Sequence, residues 1–256
     1  MPGSRAASSR LAIAARPFLA RPDGDGARRD LLTPQERDRL ASIASLVRIE
    51  RGDILFRQGA EANAIYDIAG GVLKSVLQRP DGTRAILGFF FPQDIVGLAE
   101  DGRYVSTVQA VSGAVLYRMP LRALERLLKH DRELDHQFLL KACHELRGAQ
   151  LHVLTLGIVR AEIRVLRFLG LMRQMQAPEA GLGSLIELSM SRADIAEYLG
   201  LTPETVSRVF ARLRRAQIIA SPNPHLIRVV DEERFLAIAE DEGRVRPPAP
   251  RVSAAD

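Results

Sequence analysis

The residues best equipped for chemistry lie in the run Ser191-Arg-Ala-Asp-Ile-Ala-Glu-Tyr-Leu-Gly-Leu-Thr-Pro-Glu-Thr-Val-Ser-Arg-Val-Phe-Ala-Arg-Leu-Arg-Arg215. Glu204, Ser207, Arg208, Ala211 and Arg212 fall at i, i+3, i+4, i+7 and i+8, so on a helix they share one face. Residues 203–215 hold four arginines against one glutamate, a local charge of +3. Such side chains suit recognition rather than catalysis. A guanidinium can donate two parallel hydrogen bonds to O6 and N7 of guanine, and a carboxylate can accept from N4 of cytosine. Arg208 and Glu204, near the start of the helix, are the candidate base readers, and Ser207 is short enough to reach a base edge or a thymine methyl. Arg212, Arg214 and Arg215 lie toward the other end and suit phosphates, which give affinity without sequence information. Ser191, Thr202 and Thr205 are assigned with them as phosphate contacts.

Local signals position these side chains. Ser191 with Asp194 three residues on starts a first helix in the manner of a capping box. Ile195 and Leu199 are its buried positions, and Ala196 leaves room for a close crossing. Gly200 ends it, because a residue tolerant of positive φ turns the chain tightly. Thr202 as N-cap and Pro203 as first helical residue start a second helix at once. Val206, Val209, Phe210 and Leu213 form its inward face. The pattern is a helix-turn-helix. A wing follows, with Ile218-Ile219 and Leu226–Val230 around Ser221-Pro222-Asn223-Pro224.

Upstream, from about Ser42 to Pro120, short apolar runs are cut by glycines. Ile54–Phe56, Ile65–Ile68, Val72–Leu77, Ala85–Phe91 and Tyr104–Tyr117 read as strands, and Asp81-Gly82 as a tight turn. Many short strands imply a β-barrel-like or sandwich domain. Helical spacing then takes over from Leu121 to about Gln174. Leu139, Ala142, Leu146, Ala149, Val153 and Leu156 alternate steps of three and four, forming one narrow stripe. Leu140, Leu151, Leu154 and Ile158 lie off it, so one apolar face can pack on the β-domain and the other on a twin chain. A core helix inside a monomer has the same spacing. The two alanines, which let backbones approach, favour a parallel dimer seam.

Composition removes other classes. The chain has 256 residues, of which 46% are hydrophobic, too apolar for wholesale disorder. Its longest uncharged stretch, Tyr104 to Tyr117, is 14 residues, and about 18 are needed to span a bilayer. The one cysteine, Cys143, excludes an intrachain disulfide framework and reads as half-buried and inert. His130, His136, His144, His152 and His225 form no ligand set and are expected at the surface. There is no phosphate-binding glycine loop, Gly-x-Ser-x-Gly elbow or carboxylate pair, so an enzyme is not expected. A reducing cytoplasm fits. The net charge of +5 admits a nucleic-acid partner without proving one.

From about Leu32 to Ala239 the chain resembles the CRP/FNR family of bacterial transcription regulators. Gly52-Asp-Ile-Leu-Phe-Arg-Gln-Gly59, followed by Tyr66-Asp-Ile-Ala-Gly70, resembles that family's opening β-roll pattern, and Thr202-Pro-Glu-Thr-Val-Ser-Arg208 its Glu-x-x-Ser-Arg motif in the FNR and FixK branches. The resemblance implies an α+β fold: an N-terminal β-roll (cupin-like, of cyclic-nucleotide-binding-domain type), a long dimerisation helix and a C-terminal winged helix-turn-helix. It implies the β-roll over 31–128, the helix over 129–159 and the DNA-binding domain over 160–241; residues 1–30, with little periodicity, read as a disordered arm, and residues 242–256, with Pro247, Pro248 and Pro250, as a disordered tail. Glu204, Ser207 and Arg208 of a homodimer would read an inverted repeat of the type TTGAT–four bases–ATCAA, with RNA polymerase as a further partner and activation as the usual outcome. The CRP branch usually has glycine where Ser207 stands and arginine where Pro203 stands, so its target is not expected. Cyclic-AMP-binding relatives carry Gly-Glu and then Arg-Ser or Arg-Thr. Here Gly97-Leu98 is followed by Arg103-Tyr104, and Glu100 with Arg103 reads as a surface hairpin pair. FNR itself has an amino-terminal cysteine cluster, whereas no cysteine precedes Cys143. No cofactor is therefore expected and the FixK-like branch fits best. The alternative is an effector-gated sensor of the same fold that binds haem or a small molecule in the β-roll.

Overall fold

The computed structural model describes residues 11, 13–15, 29–99, 101–176 and 185–240. These residues fall into two compact units. One comprises the described residues up to 148 with 189–198, the other 149–176 and 185–188 with 199–240.

The first unit is built on two four-stranded antiparallel sheets. One has the order β3 (Ser45–Ile49), β10 (Ala114–Pro120), β5 (Ala64–Gly70), β8 (Ile95–Val96); the other runs β4 (Ile54–Phe56), β9 (Thr107–Ala110), β6 (Leu73–Gln78), β7 (Arg84–Phe90). Alternate side chains of both sheets fill the core between them, among them Tyr66, Ile68, Leu73, Val108 and Leu116. The Asp81-Gly82 turn joins β6 to β7 as its residue types demand. Gly82 has φ 82° and the Asp81 carboxylate accepts from the Thr83 backbone N–H at 2.9 Å. At Gly71, φ is 88° and a Cβ would lie 2.3 Å from the Gly113 carbonyl oxygen, so no other residue fits there. The strand reading missed β3 and β8. β3 is exposed at most positions and β8 has only two residues, too few for a period of two to show.

A second core cluster covers the other face of β5 and β10. It joins Leu40 of α1 (Pro34–Ile43), Leu124 of α2 (Leu121–His130) and Leu134 of α3 (Arg132–Gly157) to Leu31, Leu32, Ile65, Tyr117 and Met119. Leu11 and Ile13, both fully buried, belong to it, and β1 (Ala14–Ala15) pairs antiparallel with β2 (Arg29–Asp30). The expectation of a disordered arm over 1–30 therefore fails at these positions, because their apolar side chains complete the core. The rest of that arm, residues 177–184 and the expected 242–256 tail lie outside the described residues.

Along α3 the six stripe residues Leu139, Ala142, Leu146, Ala149, Val153 and Leu156 are all exposed. Of the second apolar set only Ile158 is buried; Leu140 and Leu154 are also exposed. The helix is held to the β-roll by Leu134 and by Lys141, a charged residue that the apolar pattern could not single out.

In the second unit α4 (Ala161–Gln176) buries Ile163, Val165, Leu166, Phe168, Leu169 and Met172. It packs on α6 (Pro203–Arg215), α7 (Glu232–Glu240) and a three-stranded sheet ordered β11 (Leu185–Glu187), β13 (Leu226–Val229), β12 (Ile219–Asn223). The two strands expected for the wing are present, with β11 as an unanticipated third.

Candidate nucleic-acid interface

The capping signals read from the sequence are made. Ser191 Oγ accepts from the Asp194 backbone N–H at 3.1 Å, and the Asp194 carboxylate accepts from the Ser191 N–H at 3.1 Å and from its hydroxyl at 2.8 Å, starting α5 (Arg192–Leu199). Ile195, Ala196 and Leu199 are buried as expected. Gly200 has φ 62°. The carbonyls at this end of α5 would lack donors, and Arg164 supplies them: its Nη1 donates to Leu199 O at 2.9 Å and to Gly200 O at 3.4 Å, while Nε donates to Ile158 O at 2.6 Å. Sequence reasoning missed Arg164, since no local pattern marks a side chain that reaches 35 residues along the chain.

Within the first unit α5 is gripped by the β6–β7 hairpin. Lys74 Nζ lies 2.6 Å from Asp194 Oδ1, Arg84 meets both oxygens of Glu197 at 3.0–3.1 Å, and the Tyr198 ring stands edge-on to Phe89 at 5.3 Å. Burial raises the Tyr198 phenol to about 12, so it stays neutral. Burial also works against ionisation of Asp194, but hydrogen bonds from Lys74 and Ser191 outweigh it and hold that carboxyl below its ordinary value.

For α6, Thr202 accepts from the Thr205 N–H at 3.2 Å and Pro203 opens the helix. Val206, Val209, Phe210 and Leu213 are at most 2% exposed. The geometry leaves the opposite face to solvent: Glu204, Ser207, Arg208 and Arg212 are exposed, with Arg214 and Arg215 exposed at the far end. Ala211 and Thr205 are half-buried, while Ser191 and Thr202 are exposed. Arg208 Nη2 donates to Thr205 Oγ1 at 3.3 Å, which steers the guanidinium along the helix. The Glu204 carboxyl is held below its ordinary value by its own backbone N–H, then by the Thr202 hydroxyl and the charge on Arg208, so it is an ionised acceptor. A cavity of about 270 Å³ opens beside this face, bounded by Arg160, Glu162, Thr205, Arg208 and Arg212.

Cys143 is exposed rather than half-buried, since α3 turns it away from the residues that face the β-roll. His144 and His152 are half-buried rather than at the surface, and burial pulls the His152 imidazole below its ordinary value. Among the described residues no three His, Cys, Asp or Glu side chains cluster as metal ligands, and no helix is long and apolar enough to cross a membrane.

In the β-roll Leu98 is exposed and carries no charge, and Glu100 lies outside the described residues. Arg103 Nη1 donates to Gly59 O at 2.7 Å. Tyr104 is 4% exposed; its ring stacks on Phe56 at 3.8 Å and its hydroxyl donates to Ala64 O at 2.7 Å. Tyr104 is thus held between a half-buried Phe56 and the Ala64 carbonyl.

Residues 163–238 match the model of the Crp-like helix-turn-helix domain and residues 46–131 that of the cyclic nucleotide-binding domain. The chain is 33% identical to the transcriptional activatory protein AadR of Rhodopseudomonas palustris, over 81% of this chain and 87% of that one. It is 32% identical to the nitrogen fixation regulation protein FixK of Bradyrhizobium diazoefficiens, over 68% of this chain and 73% of that one. The structure of FixK2 from Bradyrhizobium japonicum superposes with a TM-score of 0.72 at 26% identity, covering 80% of this chain and all of that one. With both domain models matched in order and relatives of this identity along most of its length, the chain belongs to the CRP/FNR family of transcription regulators.

Proposed function

We propose that the protein binds DNA as a homodimer at a TTGAT–four bases–ATCAA-like inverted repeat and activates transcription, with RNA polymerase as a further partner and the cytoplasm as its site of action. The observation that carries the reading is the division of α6 into a buried face of Val206, Val209, Phe210 and Leu213 and an exposed face of Glu204, Ser207, Arg208 and Arg212. Glu204, Ser207 and Arg208 read base edges. Ser191, Thr202, Thr205, Arg212, Arg214 and Arg215 contact phosphates and fix the register.

The exposed stripe from Leu139 to Leu156 supports the dimer: Leu139, Leu146 and Val153 are 60–66% exposed in the single chain. A large apolar strip of this kind seeks a partner. Two recognition helices related by that seam would enter successive major grooves about 34–36 Å apart. AadR and FixK are named for activation and nitrogen-fixation regulation, which supports an activating role.

A mobility-shift titration tests the reading. The expected result is a single shifted species on the TTGAT-type palindrome at concentrations that leave a scrambled duplex unbound. Equal binding to both duplexes removes the sequence-specific reading.

A further inference from the structure

We propose that the cavity between the start of α4 and α6 is a seat for a DNA backbone phosphate, and that Glu162 is its resident competitor. The inference rests on the DNA-binding reading and adds two residues to it, Arg160 and Glu162, that no motif marked. A single carboxylate oxygen, Glu162 Oε2, serves two guanidinium groups: Arg160 Nη2 at 3.6 Å and Arg212 Nη1 at 3.5 Å. Tight charge-assisted bonds run about 2.7–2.9 Å, so both contacts are loose. The Glu162 side chain is only 16% exposed, while those of Arg160 and Arg212 are 51% and 61% exposed. The carboxylate thus lies beneath two cations that open outward, and Arg208 adds a third on the same wall.

The balance of charge favours exchange. Three guanidinium groups against one carboxylate leave the cavity at net +2. A phosphodiester offers two charged oxygens, a better match to two guanidinium forks than one shared oxygen. At about 270 Å³ the space falls below the ~300 Å³ at which small-molecule pockets begin, and it adjoins the face that carries Arg208. A phosphate of the strand flanking the bases read by α6 meets these conditions. Glu162 therefore keeps the arginines ordered without DNA, and its charge opposes the incoming phosphate. It sets a ceiling on affinity for every sequence and not on discrimination between sequences.

The test is a fluorescence-anisotropy titration of the full chain on the TTGAT-type duplex and on a random duplex, from about 50 to about 200 mM salt. Glu162→Gln is expected to tighten both complexes about two- to fivefold at the low-salt end. The salt slope should steepen by about 0.9, the contribution of one further unopposed cation. Arg160→Gln should weaken both complexes and flatten the slope by a similar amount. Thermal melts run alongside, and if Glu162→Gln is unfolded, Glu162→Asp, which retracts the charge but keeps an acid in the first turn of α4, should still tighten binding. Unchanged or weakened binding by folded Glu162 variants overturns the proposal, since Glu162 would then only support the arginines. Inorganic phosphate raises the melting temperature of folded proteins in general, so the free-anion alternative is read by difference. A phosphate-induced rise larger in the wild type than in Arg160→Gln, with DNA affinity equal in the two, overturns the proposal by making the cavity a site for a free anion. Tightening on both duplexes with no wild-type preference for TTGAT would keep the phosphate seat and remove the sequence-specific reading. A wild-type preference with inert Glu162 variants would do the reverse.

Discussion

Lys141, on a helix with most of its neighbours in solvent, buries its ammonium group 3.1 Å from the carboxylate of Asp94, with 1% of its side chain exposed. Glu145, one turn on, lies 2.7 Å from the same nitrogen, and Asp94 also accepts from the Phe91 N–H at 2.8 Å. The pair ties α3 to the β-roll just as α3 begins its exposed stripe. Removing one partner of such a pair strands the other charge without water, at a cost of about 3–5 kcal/mol. Lys141→Ala should lose stability in that range by urea unfolding. Lys141→Met combined with Asp94→Asn should lose less, and equal losses would show that the charges do not oppose each other's burial cost.

The recognition face separates two kinds of arginine. Arg208→Ala should cost about 1–3 kcal/mol on the palindrome and relax discrimination at one guanine. Arg214→Ala should weaken all sequences alike and lower the salt slope by about 1. Titrations on specific and random duplexes distinguish them, and equal losses on both duplexes for Arg208→Ala would contradict its base-reading assignment.

Leu146→Glu places a charge at a stripe position that is 61% exposed in the single chain. It should leave the monomer's melting temperature nearly unchanged yet shift sedimentation velocity to the monomer. With one half-site contact in place of two, binding to the palindrome should fall about a hundredfold or more. A dimer that survives the substitution would place the seam elsewhere.

Asp194 provides a pH test. Its folded carboxyl is held below the ordinary 3.8 because bonds from Lys74 and Ser191 outweigh burial. The unfolded chain therefore takes up a proton first as the pH falls, so the stability contributed by Asp194 is present above its unfolded value and lost below it, through the folded one. The wild type's advantage over Asp194→Asn should be constant at neutral pH and shrink on acidification from about pH 5. An advantage independent of pH would assign it to packing alone.

Tyr104 and Phe56 make a direct prediction for ligands of the β-roll. Cyclic AMP at millimolar concentration should leave both the melting temperature and DNA binding unchanged, because Tyr104 is committed to its stack on Phe56 and to the Ala64 carbonyl. A dose-dependent rise in melting temperature would reopen the effector-gated reading.

Much of the helix-turn-helix was legible because its signals are local. Thr202, Pro203 and Gly200 each act within a few residues, and the buried and exposed faces of α6 follow from a period of 3.6. What escaped depends on distant partners. Arg164 caps the end of α5 from another helix, Lys141 is buried only because Asp94 waits for it, and Glu162 gains its meaning from Arg212, 50 residues away. Leu11 and Ile13 carry no such signal, for the opposite reason. A short apolar run beside Arg16 and Pro17 has no period to read, and only the surface it covers shows that it is core.

The exposed Leu139–Leu156 stripe has a consequence for dose. If two chains must meet along it before both half-sites can be held, promoter occupancy at low abundance rises with the square of the number of molecules rather than in proportion to it. A modest change in synthesis or breakdown would then act as a threshold, without any ligand entering the β-roll.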